Sequence, residues 1–383
     1  MRGIITCIAL ILFLSGCQSR VAEVPFVAAN LTPQTGEVAK QVFPVSGNVP
    51  APEGLRPCCA FGYDLGTKLG PVPVPFYRIG NVLTAESLGR HTYNDSFWLG
   101  ITEVIGLSNE NLGIIYSRKG GFIDIAHVRD TADYTYYLFT QIYPRLGEAW
   151  MLTLTDELAS RRVQFRAFTP PDNAAGRYTL SVYLAARLAF RIAVWHEIAQ
   201  WYGYHSVPGF SEEISAFTPE DLYSNLLGAR LAITLLLEGH GGSVADFNRG
   251  MQGILPSALA QLSAQPADAT RAAFDSIDGR WWDKHQRVPE KFLVLYRDYN
   301  VADDRLPSQP EQETEAGMRL ALPQHYRNWS LADLVAFELW PARNMGNLPA
   351  TLLPFSESDF PALIRHAAAV DAKTAPSSVQ RDK

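Results

Sequence analysis

Short segments in the first half of the chain have strand-like alternation of apolar and polar residues. Residues 150–155 and 162–168 each place apolar side chains at every second position, and a polar turn around Asp156 and Glu157 separates them. This period of two predicts a pair of antiparallel strands. Residues 112–117 form a further strand candidate, and a turn-like Arg-Lys-Gly-Gly sequence follows them.

Longer apolar stretches predict helices. The longest, residues 178–202, is apolar on every side although it contains Arg187 and Arg191, which is typical of a helix buried at the centre of a domain. Thr218-Pro219-Glu220-Asp221 has the cap, proline and acid of a helix start, and that helix is predicted to run to Glu238. Further helices are predicted near Pro256–Leu262, Pro266–Phe274, Pro289–Tyr299 and Leu331–Trp340.

These elements predict an α+β fold: a helix-dominated single domain with a small antiparallel sheet and a central buried helix at about residues 178–203. Of the 383 residues, 47% are hydrophobic and 19% are charged, which is enough apolar material for a sizeable core. We assign residues 56–372 to this domain. Residues 17–55, which lack a helical period, are predicted to be a flexible tether, and residues 373–383 a disordered tail.

The N-terminus has the features of a secretion signal. Arg2 precedes the apolar run Ile4–Leu14, which is too short to span a membrane. Leu14-Ser15-Gly16-Cys17 resembles the lipobox of bacterial lipoproteins, which implies removal of residues 1–16 and lipidation of Cys17. No Asp follows at the second position, which by the same resemblance favours an outer-membrane lipoprotein facing the periplasm. A cleaved secretory signal with a chance cysteine is the alternative.

Charge and cysteine content narrow the functional classes. The net charge is −6 and no basic block occurs, which argues against nucleic acid as a partner. The predicted partner is the membrane, which the protein would contact through its lipid anchor. Of the four cysteines, Cys7 would leave with the signal and Cys17 would be lipidated. The adjacent Cys58 and Cys59 remain, and neighbouring cysteines rarely bridge each other, so we expect no disulfide framework.

The stretch GGFIDIAHVRDTADYT places a carboxylate and an imidazole in an apolar segment. On a helix, Asp124 and His127 would share one face, and this pairing is common among metal ligands in helical bundles. If the segment instead begins as the second strand of a hairpin, the two side chains diverge and Asp130 or Thr131 is the helix N-cap. A hydrogen-bonded Asp–His pair, or Asp124 paired with Arg129 or another arginine, is the alternative to a metal site.

The stretch WHEIAQWYGYH places His196 and Glu197 inside the predicted central helix. They resemble the opening of the zinc-protease motif HExxH, but Gln200 stands where the second histidine belongs. A metal site that combines this helix with the first stretch is therefore favoured over a zinc-protease helix. Neutralisation of Glu197 by Arg187, Arg191 or an arginine elsewhere is the alternative.

Our leading hypothesis is a metal-assisted hydrolase of an envelope polymer or peptide. Asp124, His127 and His196 would be ligands of zinc or another divalent metal, and Glu197 the general base that acts on a metal-bound water. The segments that supply these groups are apolar, and buried charges in such segments must be paired or bound to metal.

A second hypothesis is a thiol hydrolase. Cys59 or Cys58 would be the nucleophile and His127 the base, with Arg90 and His91 as substrate-binding residues in a loop. The alternative is two small buried thiols. Failure of both thiols to react with iodoacetamide at neutral pH would exclude the hypothesis.

Four segments carry a resemblance to a known family: RPCCAFG, FIDIAHVRD, HEIAQWYGY and PEDLYSNLLGARLA. Together they resemble an uncharacterised family of bacterial lipoproteins, a domain of unknown function. The resemblance spans most of the chain after the predicted tether and implies a single domain in the cell envelope. It implies no activity, cofactor or catalytic residue, so a non-enzymatic periplasmic scaffold or binding lipoprotein stays open as a third hypothesis.

Overall fold

The computed structural model describes residues 27–31, 38–56, 60–69, 72–95, 110–206, 211–349 and 354–375. Within them the predicted α+β class and the dominance of helices are confirmed. The helices are α1 (Ile125–Ile142), α2 (Ala174–Trp201), α3 (Asp221–Leu237), α4 (Val244–Gln261), α5 (Ala267–Ser276), α6 (Leu331–Leu334) and α7 (Phe360–Thr374). None of these described helices combines the length and apolarity needed to cross a bilayer.

The strands are short and pair antiparallel. They are β1 (Leu65–Leu69), β2 (Val72–Ile79), β3 (Ile114–Ser117), β4 (Gly121–Asp124), β5 (Trp150–Thr153), β6 (Ala159–Phe165), β7 (Asp304–Arg305), β8 (Leu320–Ala321), β9 (His325–Tyr326), β10 (Trp329–Ser330), β11 (Val335–Pro341) and β12 (Phe355–Ser356). The largest sheet has the order β12–β11–β6–β5, and the others have two strands each. The predicted pairing of residues 150–155 with 162–168 is confirmed as β5 against β6.

Helices α1, α2 and α3 pack on one another and form the centre of the main core. The 28-residue α2 is buried along nearly its whole length, so the predicted central helix is confirmed. Helix α3 approaches α1 most closely at Gly228, where a Cβ added to the glycine would lie 2.1 Å from the Val128 carbonyl oxygen. Only glycine permits this approach, which brings the N-terminal halves of the two helices together.

The hairpin β3–β4 leads directly into α1. Ile114 pairs with Asp124, and Gly121 makes the turn with a φ of 65°. The Asp124 side chain accepts hydrogen bonds from the first amides of α1 and is its N-cap. For a hairpin arrangement we predicted Asp130 or Thr131 as the N-cap. That prediction is wrong, because Asp124 already caps the helix at its junction with the strand.

Two predicted helices are wrong. Most of residues 331–340 is β11, because Val335, Phe337 and Leu339 alternate inward with the period of a strand and pair with β6. In residues 289–299 only the 3-10 turn Lys291–Leu293 is helical. The chain there is extended where Leu295 donates to the Trp281 carbonyl, so tertiary pairing replaces the helical ladder.

Two further helices differ from the predictions. Helix α4 begins at Val244, well before the predicted Pro256, because Ser243 caps it and the proline is accommodated inside the helix. Helix α7 had no predicted counterpart, and it extends to Thr374, two residues into the predicted tail.

Much of the predicted tether packs on the domain. Leu31 and Ala39 are buried in the main core, and the Ala39 amide donates to Thr179 Oγ1 in α2. Parts of residues 27–31 and 38–55 therefore pack on the core, while others in this range, such as Lys40 and Gln41, are exposed. The signal segment, Cys17 and residues 376–383 lie outside the described residues.

A buried acid–imidazole cluster

Three carboxylates surround one imidazole at the centre of the helical core, and the buried acid Glu220 precedes one of them in the chain. Asp124 and His127 come from the start of α1, Glu197 from α2, and Glu220 and Asp221 from the start of α3. None of the five side chains is more than 2% exposed. We call Asp124, His127, Glu197, Glu220 and Asp221 the acid–imidazole cluster.

The His127 ring lies between three of these carboxylates. Its Nδ1 is 3.4 Å from Asp124 Oδ2 and 3.7 Å from Asp221 Oδ1, while its Nε2 is 3.8 Å from Glu197 Oε1. Within the described part of the chain neither ring nitrogen makes a hydrogen bond. The distances are longer than N–H···O hydrogen bonds, so the ring is enclosed by acids without being hydrogen-bonded to them.

Backbone hydrogen bonds hold Asp124 and couple the two helix starts. Asp124 Oδ1 accepts from the amides of Ala126 at 2.7 Å and His127 at 3.3 Å. The Asp124 amide donates to Ser224 Oγ at 2.9 Å, and this hydroxyl donates to the Glu220 carbonyl at 2.7 Å. The start of α3 is thereby linked to the start of α1, which fixes the carboxylates relative to the ring.

The carboxylates of the two glutamates in the cluster have few hydrogen-bond partners. Glu197 Oε2 accepts from the Phe217 amide at 2.6 Å, but its Oε1 makes no hydrogen bond to the described residues. Burial and the nearby Asp221 carboxylate raise the pKa of Glu197 well above its usual value. Burial, Asp221 and Asp124 do the same to the pKa of Glu220.

The electrostatic environment at His127 favours positive charge. Burial by itself lowers the pKa of His127, yet Asp221 and Asp124 outweigh it and raise that pKa well above the usual value. Burial tends to raise the pKa of Asp124, but the His127 ring and the capping amides hold it below its usual value. A cation at this position, a proton or a metal ion, is therefore stabilised by the surrounding acids.

One donor atom each from Asp124, His127 and Asp221 lies within 4.8 Å of the others, so this buried group could hold a metal ion. The structure thus brings together the predicted ligands Asp124 and His127 and places the predicted base Glu197 beside them. Asp221 was missed, since its position suggested only a helix start. The usable signal was an acid pair, Glu220-Asp221, opening a helix that is otherwise almost entirely apolar.

His196, predicted as a third ligand, lies elsewhere. Its Nδ1 is 3.2 Å from Glu157 Oε1, and Glu157 forms an ion pair with Arg161 at 3.0 Å. Successive residues of a helix are rotated by about 100°, so His196 and Glu197 cannot both face one small site. The metal-ligand assignment is corrected accordingly, from His196 to Asp221.

The arginines of α2 do not neutralise Glu197. Arg187 pairs with Glu357 at 2.7 Å, and Arg191 pairs with Asp303 at 2.6 Å. Both face the outer side of the helix, whereas Glu197 faces α1 and α3. Arg187 and Arg191 therefore do not compensate Glu197, whereas two arginines elsewhere in the chain, Arg297 and Arg305, interact electrostatically with it.

The predicted substrate-binding residues, Arg90 and His91, lie in different environments. His91 is buried between Glu110 and Asp133. Its Nδ1 lies 3.0 Å from Glu110 Oε1, and its Nε2 lies 3.0 Å from Asp133 Oδ1. Burial by itself lowers the pKa of His91, but Asp133 and Glu110 outweigh this effect and raise that pKa to about 9, as expected of a structural ion pair. His91 borders a pocket of about 110 Å³ together with Arg129, while Arg90 is exposed and does not line it.

Cys58 and Cys59 lie outside the described residues, so the thiol hydrolase stays a prediction. The nearby Arg56 is buried and forms ion pairs with Glu110 and Asp130.

Comparison with known families matches residues 46–311 to the family described as "Protein of unknown function (DUF4056)". The matched segment contains the whole acid–imidazole cluster. Neither the comparison with curated proteins nor that with solved structures gave a match. Because the family match covers more than half of the chain, we conclude that the protein belongs to this family of unknown function.

Proposed function

We propose that this protein binds a divalent metal ion, with Asp124, His127 and Asp221 as ligands. The observation that carries the proposal is the His127 ring, which is fully enclosed, faces three carboxylates and makes no hydrogen bond to the described residues. An imidazole left without hydrogen bonds in a protein core is costly, and metal coordination supplies the missing interaction.

The spacing of the donor atoms supports this assignment. Ligands placed tetrahedrally at zinc-like bond lengths of about 2.1 Å lie about 3.4 Å from one another. His127 Nδ1 is 3.4 Å from Asp124 Oδ2 and 3.7 Å from Asp221 Oδ1. Small side-chain adjustments would therefore suffice to close the three donors on one ion.

The charge balance supports it as well. The raised pKa values of Glu197 and Glu220 favour their neutral forms, so the charge to be compensated is mainly that of Asp124 and Asp221. The N-termini of α1 and α3 each contribute roughly half a positive charge, which offsets this charge only in part. Two buried arginines, Arg297 and Arg305, influence the cluster electrostatically, but Arg297 is held by Asp371 and main-chain carbonyls and Arg305 by Asp298. A divalent cation supplies the missing charge.

The donor types narrow the choice of metal. Imidazole nitrogen suits zinc, iron and similar ions, while several carboxylate oxygens suit manganese and other hard ions. One nitrogen among carboxylates therefore favours zinc, manganese or iron(II) over copper(I), which prefers thiolates. Glu197, facing Nε2 of His127, is placed to accept that N–H and orient the ring, as carboxylates commonly do behind metal-bound histidines.

The experiment that tests the proposal is metal analysis of the purified protein by mass spectrometry. We expect near-stoichiometric divalent metal in the wild type and at least a tenfold loss in Asp221→Asn. The matched control is Asp268→Asn, because Asp268 is also an acid in the first turn of a helix but is exposed on α5. Wild-type protein that stays metal-free after incubation with zinc, manganese and iron(II) would refute the proposal.

As a second candidate function, we propose metal-assisted hydrolysis of an envelope polymer or peptide, with Glu197 as the base. Because the cluster is buried and Glu197 faces Nε2 of His127, this function requires the cluster to open to substrate and Glu197 to turn from the ring toward a metal-bound water. Glu197→Gln is expected to keep the metal and the fold while hydrolysis falls by about 100-fold or more. Unchanged hydrolysis of a cell-wall or peptide substrate would exclude this role.

We also propose, from the lipobox alone, that the protein is anchored to the outer membrane through Cys17. Replacement of Cys17 by Ser should release it from the membrane fraction, and retention of the variant there would count against lipidation.

A further inference from the structure

A pocket of about 110 Å³ lies between α4 and the loop that follows β2. Leu88, Met251 and Leu255 give it apolar walls, and the buried Arg129 of α1 also lines it. Glu86, another lining residue, is exposed, so the pocket reaches the surface. None of the three proposed metal ligands lines the pocket, which makes it separate from the acid–imidazole cluster.

Arg129 is a buried cation with incomplete pairing. Two backbone carbonyls accept from its Nη1 and Nη2, at 3.3 and 2.7 Å, but its Nε has no hydrogen-bond partner in the described part of the chain. Its carboxylate neighbour, Glu110 Oε2, is 3.5 Å away, which is too long for a good hydrogen bond. Glu110 also lies closer to Arg56 and His91. Arg129 is therefore the cation of this network best able to accept a ligand carboxylate as a partner.

Helix α4 supplies an acceptor for the opposite kind of group. Pro256 lies inside this helix and has no N–H, so the helical hydrogen bond to the Gln252 carbonyl, four residues earlier, cannot form. Both residues line the pocket, which places a backbone acceptor without its helical donor at the pocket wall. The exposed Glu86 carboxylate adds negative charge at the mouth. The pocket thus offers a cation on one element and acceptors on two others.

Charge balance limits the net charge of a ligand. The buried ionised side chains around the pocket number three positive and three negative, namely Arg56, His91, Arg129, Glu110, Asp130 and Asp133. The pKa of His91, about 9, keeps its ring protonated at neutral pH. A ligand without net charge leaves this balance intact, whereas a simple carboxylate or a simple amine would add an uncompensated charge.

The volume limits the size of the ligand. A cavity of about 150 Å³ in another protein holds benzene, so a pocket of about 110 Å³ admits a molecule of roughly six non-hydrogen atoms. We propose that this pocket binds a small α-amino acid of the size of alanine. The ligand carboxylate would pair with Arg129, its ammonium group with the Gln252 carbonyl, and its methyl group would lie against Met251 and Leu255.

The test is equilibrium dialysis of the full chain against radiolabelled DL-alanine. We expect saturable binding of one molecule per chain with a dissociation constant below about 1 mM. Glycine should compete, because it keeps both charged groups. Propionate lacks the ammonium group and ethylamine lacks the carboxylate, so each should compete at least tenfold more weakly. Leucine exceeds the volume of the pocket and should also compete at least tenfold more weakly.

Two variants test the location of the site. Gln252→Trp and Ala85→Trp fill the pocket from α4 and from the loop, and each should abolish alanine binding. Ala260→Trp is the matched control, because Ala260 is exposed on α4 and does not line the pocket. This control should bind alanine like the wild type.

The contrary outcomes are distinct. Wild-type protein that shows no saturable alanine binding overturns the inference. Competition by propionate as strong as that by glycine overturns the amino-acid class, because the ammonium group would then contribute nothing. Wild-type binding by either pocket-filling variant overturns the location. The competition series needs no variant, so it decides the ligand class even if both tryptophan variants fail to fold.

Discussion

Removing the metal with a chelator is expected to lower the free energy of unfolding by about 4 kcal/mol, the stabilisation given by a ligand at roughly a thousand times its dissociation constant. The proposed ligands come from α1 and α3, with Glu197 of α2 against them, so a bound ion would connect three helices of the core. Without it the buried carboxylates repel one another. Chemical denaturation with and without chelator measures the difference, and Asp221→Asn should show almost none.

The stability of the metal-free protein should depend on pH in a distinctive way. Burial and Asp221 raise the pKa values of Glu197 and Glu220 in the folded protein. An acid with a raised folded pKa contributes stability below its unfolded pKa and loses it as pH rises through the folded pKa. The chelated protein should therefore lose stability as pH rises above about 4.5, the usual glutamate value.

The metal-loaded protein should respond to pH in the opposite direction. Protons compete with the ion for His127 and the carboxylates, so acidification displaces the metal and removes its stabilisation. Opposite pH slopes for loaded and chelated protein are the expected result. Parallel slopes would mean that the cluster is neutralised by protons alone and would contradict the metal centre.

Gly228→Ala is expected to destabilise the protein by about 3 kcal/mol, although alanine normally favours a helix interior over glycine. The added Cβ would lie 2.1 Å from the Val128 carbonyl oxygen, which is backbone and cannot rotate away. Helix α3 would have to move away from α1. Denaturant unfolding measures the loss, and Gly80→Ala is the control because a Cβ there meets nothing within 4 Å.

This substitution should also weaken metal binding. Val128 follows His127 in α1, and Gly228 lies on the same face of α3 as Asp221, seven residues earlier. Separating the helices at this contact therefore separates Asp221 from the His127 ring. We expect at least a tenfold loss of affinity in a metal titration, and unchanged affinity would show that the site does not depend on this close approach.

Part of the acid–imidazole cluster was predictable because it is local. Asp124 and His127 are three residues apart, and any helix start at this point brings them together. Glu197 was noticeable as a lone acid in a helix that is apolar on every side. In contrast, the neighbouring His196 was indistinguishable from a ligand in the sequence, because the phase of a fully apolar helix shows no preferred face.

The helical core, the strands β5 and β6, and the presence of acids and imidazoles in segments too apolar to expose them were all predictable from the amino-acid sequence. These features follow from periodicity and from the cost of burying charge, which act within one segment. That Asp221 faces His127 while His196 faces Glu157 was settled by the packing of the helices. That choice depends on how α1, α2 and α3 are rotated against one another, and the contact at Gly228 that sets their approach is a property of two distant segments packed together.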